Sequence, residues 1–162
     1  MKKSLVLLLC SVLLTGCAAE DTFETVADEW AQSVAAPKAE IVLVLPEEAA
    51  SPVVSGEDGT LYQCDGYEIF LQTLESGDLD ATLRRITGFG REHLTVMETQ
   101  FPGGKRYDLV WSCMGENGEQ VGRACLLDDG NYHYVLSTLA DASWAGEFDE
   151  TWEALFGSYS LG

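Results

Sequence analysis

The sequence predicts an α+β domain, an antiparallel β-sheet packed between α-helices, with an amphipathic helix at its C-terminus. Three observations carry this expectation. Runs rich in Val, Ile, Leu, Tyr and Thr between Thr60 and Ala140 are separated by Asp-Gly, Pro-Gly-Gly and Asn-Gly turn signals. One interval, Gly77 to Gly88, has helical rather than alternating spacing. Beyond Ser143, aromatic and leucine side chains recur at helical intervals.

Before this domain comes an address. Lys2 and Lys3 precede the run LVLLLCSVLL, Leu5 to Leu14, and small residues then lead to Cys17. Charged region, apolar region and processing site follow each other as in an export signal. Ten helical residues rise about 15 Å, half of the roughly 30 Å hydrocarbon core, so the run is too short to span a membrane.

Leu14-Thr15-Gly16-Cys17 resembles the bacterial lipobox. The resemblance implies a lipoprotein signal peptide over residues 1–16, cleavage before Cys17 and a diacylglyceryl group on the Cys17 thiol. Two acyl chains hold a protein stably where one does so marginally. The expected location is the extracytoplasmic face of a bacterial cell membrane, with residues 17–39 as a tether and residues 40–162 as the domain.

Cleavage after Gly16 would remove 16 of 162 residues together with Lys2 and Lys3, moving the formal charge from −18 to −20. A chain with 27 acidic residues against 9 basic ones is repelled by phosphate backbones. Nucleic acid is therefore not an expected partner. With Cys10 lost and Cys17 acylated, Cys64, Cys113 and Cys125 remain, an odd number that cannot all pair within one chain and that lacks zinc-ligand spacing. They read as small buried hydrophobes, although an extracytoplasmic setting permits one pairing.

Along the tether, Phe23, Val26, Trp30 and Val34 fit one helical face loosely, while FETVAD could equally be a short strand. EIVLVLPEEA, Glu40 to Ala49, reads as a strand stopped by Pro46. TLYQCDGYEIFLQTLES, Thr60 to Ser76, reads as a hairpin turning at Asp65-Gly66, with Tyr67, Ile69, Leu71 and Thr73 alternating against Glu68, Phe70 and Gln72.

Asp78 is placed to cap a helix whose apolar side is Leu79, Leu83 and Ile86 and whose end is Gly88. A meander is expected next: His93 to Phe101, Arg106 to Met114, Gln120 to Leu127, and Asn131 to Ala140. From Ser143 onward, Trp144, Phe148, Trp152, Leu155, Phe156 and Tyr159 form a continuous stripe, and all should bury against the sheet.

This order of elements, and above all the ending NYHYVLSTLADASWAGEFDETWEALFGSYSLG, resembles the PsbP-like fold. That fold is shared by a photosystem II extrinsic protein, a Ran-binding import factor and many small bacterial lipoproteins. The chain is also similar to uncharacterised lipoproteins of gut Clostridia. The resemblance covers roughly residues 40–162 and carries over no catalytic, cofactor or metal residue.

Chemistry is sparse on its own terms too. His93 and His133 lack a second histidine or a carboxylate at metal-ligand spacing and read as satisfied or surface residues. No G-x-S-x-G elbow is present. Asp128-Asp129-Gly130-Asn131 lacks the ligand spacing of a calcium loop and reads as a turn. Arg84, Arg85, Arg91, Lys105, Arg106 and Arg123 are expected to pair with surplus carboxylates, or a few to line an anion-binding groove.

The expected function is that of a non-enzymatic binding or assembly module, without cofactor, engaging an envelope protein or a small ligand. Alternatives are a calcium-binding lipoprotein and an envelope enzyme with an unadvertised carboxylate site. Lipidation has a direct test in mass spectrometry of the membrane fraction. Wild-type protein should carry the mass of an acylated cysteine, and the Cys17→Ser protein should lack it and be released; equal mass and equal release would refute the anchor.

Overall fold

The computed structural model describes residues 36–57 and 59–162. The expected signal peptide, the Cys17 anchor and the element between residues 22 and 34 lie outside the described residues. In the described part, strands β1 (Ile41–Val42), β2 (Val54–Gly56), β3 (Gly59–Gln63) and β4 (Tyr67–Glu75) precede helix α1 (Leu79–Thr87). Strands β5 (Thr95–Phe101), β6 (Gly104–Gly115), β7 (Gly118–Asp128) and β8 (Tyr132–Asp141) follow, then helix α2 (Asp149–Ser158) and β9 (Ser160–Leu161).

Seven strands make one antiparallel sheet in the order β2-β3-β4-β8-β7-β6-β5. The meander is as expected, and β8 closes it against β4, with Ile69 opposite Thr138. Helix α1 begins where Asp78 Oδ1 accepts the Asp80 N–H at 3.0 Å and ends at Gly88, whose φ of 80° few side chains tolerate. Its Leu83 packs with Leu109 and Ala124.

Arg123, the neighbour of Ala124 on β7, points to the opposite face, where its guanidinium lies 4.6 Å from the ring centre of Phe156 on α2. Alternation along a strand thus sets one helix on each face. Leu83, Leu109, Leu126 and Val135 fill the α1 side, and Trp152, Leu155, Phe156 and Tyr159 are buried on the α2 side.

Three expectations are corrected. Only Ile41 and Val42 of the run EIVLVL form a strand, because their partner β9 is two residues long. The Val44 N–H bonds Ser158 Oγ at 3.0 Å instead, and a 3₁₀ turn, Glu47–Ala49, follows Pro46. Second, Val54–Gly56, outside every expected element, pairs as the edge strand β2.

Third, the C-terminal stripe is not continuous. Asp141 Oδ1 accepts from the Ser143 backbone and hydroxyl, and a 3₁₀ turn, Ala145–Phe148, precedes α2. A 3₁₀ turn advances about 120° per residue rather than 100°, so Trp144 falls out of line. It is 56% exposed, whereas Trp152 is 3% exposed.

Substitution should separate these two residues. Trp152→Ala should cost about 3–5 kcal/mol of unfolding free energy, and Trp144→Ala no more than about 0.5 kcal/mol. Urea denaturation of both variants measures the difference.

Candidate functional site

Three regions hold the side chains with chemical potential: the base of β8, the three cysteines, and the sheet surface that α1 leaves open. At the first, His133 is 1% exposed and carries a hydrogen-bond partner on each ring nitrogen. Thr82 Oγ1, on α1, lies 2.8 Å from Nδ1, and Ser76 Oγ lies 3.4 Å from Nε2. Ser76 in turn donates to Asp128 Oδ1 at 3.3 Å.

One assignment of hydrogens satisfies all four groups. Thr82 O–H donates to Nδ1, Nε2–H donates to Ser76, and Ser76 donates to the carboxylate. Serine, histidine and aspartate therefore meet, but not as a hydrolytic triad. The carboxylate stands on the serine side of the ring, 3.8 Å from Nε2, while the hydroxyl facing Nδ1 belongs to buried Thr82, which no substrate carbonyl reaches. The group ties α1 to the sheet. Burial pushes the His133 pKa down, against the partial opposition of Asp128 and Asp129.

The other sequence candidates scatter. His93 is exposed in a 3₁₀ turn, Arg91–His93, not in β5, with Glu92 at 3.6 Å. Cys64, Cys113 and Cys125 are free. The register sets Cys113 opposite Gln120 and Cys125 opposite Asp108, so the two cannot pair across their hairpin. Burial raises the thiol pKa of Cys64, and that of Cys125 to about 12, which leaves neither as a thiolate at neutral pH.

The Asp128–Asn131 loop is a turn closed by its own carboxylates. Asp129 Oδ1 accepts from Asn131 and Tyr132 N–H groups, and Oδ2 accepts from the Tyr134 hydroxyl at 2.9 Å. Burial raises the Asp129 pKa, but these bonds outweigh it and the net shift is downward. Among the described residues no group of three or more His, Cys, Asp or Glu could hold a metal ion. Of the cations, Lys105 pairs with Glu98 at 3.0 Å and Arg106 grips both oxygens of Asp108 at 2.8 and 2.9 Å.

What does converge is apolar. Leu61 of β3, Phe70 of β4, Leu139 of β8 and Trp111 of β6 line an open groove of about 280 Å³ on the α1 face, beside Ile86. Among the described residues, helix α1, nine residues long, leaves this part of the sheet uncovered. Trp111 reaches across because its partner in the ladder is Gly122, where a Cβ would collide with the indole. Glu68 is the one ionisable side chain on the lining. Sequence reasoning missed this groove, and its available signal was a glycine inside a strand pattern.

No family model and no curated protein sequence matches this chain. Among the solved structures that match is LpqN of Mycobacterium tuberculosis, described as involved in cell envelope biogenesis. The match covers 76% of this chain and 84% of that one, with a TM-score of 0.51 and 11% identity. The two share a fold.

The buried His133 makes stability pH-dependent with a defined sign. The unfolded chain takes up a proton on this residue near its ordinary 6.5, whereas the folded protein resists it. Stability should therefore be full above about pH 6.5 and fall as the pH drops below it. His133→Gln should be less stable at pH 8 but lose the part of the acid slope between pH 6.5 and 5, read from melting temperatures across that range.

Proposed function

We propose that this chain is a lipid-anchored, extracytoplasmic binding module of the bacterial cell envelope, non-enzymatic, which engages a partner protein through the open groove beside α1. The observation that carries the reading is the groove itself. Four apolar side chains from four different strands converge there with a single carboxylate, Glu68, and two hydroxyls, of which Ser137 donates to the Phe70 carbonyl and Thr138 is buried. Surfaces of this composition serve docking rather than bond-making.

The lipobox-like Leu14-Thr15-Gly16-Cys17 supports the membrane address. Similarity of fold to LpqN and the PsbP-like resemblance are compatible with an envelope role. A buried hydrogen-bonded histidine and two raised thiols favour this reading over an enzyme.

Photocrosslinking in intact cells tests it. A photoreactive residue at Leu139 should give a discrete protein adduct, one at exposed Arg84 should not, and Trp111→Ala should abolish the Leu139 adduct while unfolding remains cooperative. Identical adduct patterns from both positions, or none from Leu139, would overturn the reading.

A further inference from the structure

A second groove lies on the other face. Between the 3₁₀ turn before α2 and the outer strands is an opening of about 490 Å³, within the range of about 300–1,000 Å³ occupied by small-molecule sites. Its floor is apolar: Met97, Val110, Val121 and an edge of Trp152. Met97 and Val110 are 61% and 55% exposed, so the floor is open to solvent.

At its inner side stands Arg123, next to Val110 in the ladder and held over the Phe156 ring. Among the described residues no carboxylate lies within ion-pairing distance of this guanidinium, and no acceptor bonds it. In a chain with 27 acidic residues and 9 basic ones, that is an arginine kept away from abundant partners. Lys105 and Arg106, on the adjacent strand, are both paired.

Two carboxylates border the groove as well. Asp108 is neutralised by Arg106, and Asp149 is exposed at the first residue of α2, where a helix N-terminus accommodates negative charge.

We propose that this groove binds a long-chain fatty acid, its carboxylate on Arg123 and its chain leaving across Val110 toward Met97. The guanidinium supplies the charge complement that the acidic remainder of the chain lacks. The exposed side chains of Met97 and Val110 supply the apolar surface that an acyl chain needs. The assignment is independent of the groove on the α1 face and stands whether or not that groove takes a partner.

Displacement of a fluorescent fatty acid by palmitate, below its micellar concentration and with the full-length chain, tests the assignment. Palmitate should bind saturably, and hexadecanol, with the same chain and no charge, at least about tenfold more weakly. Arg123→Gln should weaken palmitate about tenfold and leave hexadecanol unchanged. Asp149→Asn should tighten palmitate, since it removes a like charge.

If Arg123→Gln fails to fold, Met97→Glu, at an exposed position, takes its place and should weaken both ligands. Equal binding of palmitate and hexadecanol, no loss in Arg123→Gln, no loss in Met97→Glu, or no saturable binding would each overturn the proposal.

Discussion

A helix about 10 Å across covers two or three strands spaced about 4.8 Å apart, and among the described residues this sheet has seven strands with one helix on each face. Most of the molecule's character follows from that mismatch. The strands under the helices, β7 and β8, are buried on both sides and carry unbroken runs such as ACLL and YHYVL. The flanking strands keep one face partly in water. Both grooves lie where a helix ends before the sheet does.

Such a sheet needs few polar devices to hold it, and those present sit at the helix ends. The Thr82–His133–Ser76–Asp128 chain fastens the first turns of α1 to the rim of β7 and β8. On the other face Arg106 donates to the Phe156 carbonyl at 3.3 Å, near the end of α2. Tyr67, which sits among Phe148 and Trp152, sends its hydroxyl to Glu48 at 2.7 Å, so the connection before β2 is tied to the same cluster. Most of these bonds join side chain to side chain, so each buried polar group is satisfied by another, and only Arg106 reaches a backbone carbonyl.

The elements with strong local signals were legible in the sequence. Asp78 and Gly88 bound α1, Asp65-Gly66 turns the first hairpin, and alternation from Tyr67 to Thr73 gives the faces of β4. Elements that depend on distant chain were not. The length of β1 is set by a partner about 120 residues away, and Trp144 looks like its neighbours until a local Asp141 turn rotates it out. The four members of the His133 chain lie on α1, β7, β8 and the connection after β4. The grooves are legible only once it is known which strands adjoin and how far each short helix reaches. The cations illustrate both sides: the expected pairing with surplus carboxylates is realised for Lys105 and Arg106, whereas Arg123 lies over the Phe156 ring, a partner about 30 residues on that no local pattern names.

The pairing of β1 with β9 joins the beginning of the domain to its end, with Ile41 opposite Leu161 and the Gly162 N–H on the Glu40 carbonyl at 2.9 Å. Contacts so distant in sequence form slowly, because the ordering of a long intervening chain must precede them. The stretch before β1 is held a second time, by the Ala39 N–H on the Tyr134 hydroxyl at 2.7 Å and by Lys38 over the Tyr132 ring. The entry to the domain is thus fastened both to β9 and to β8 at the middle of the sheet.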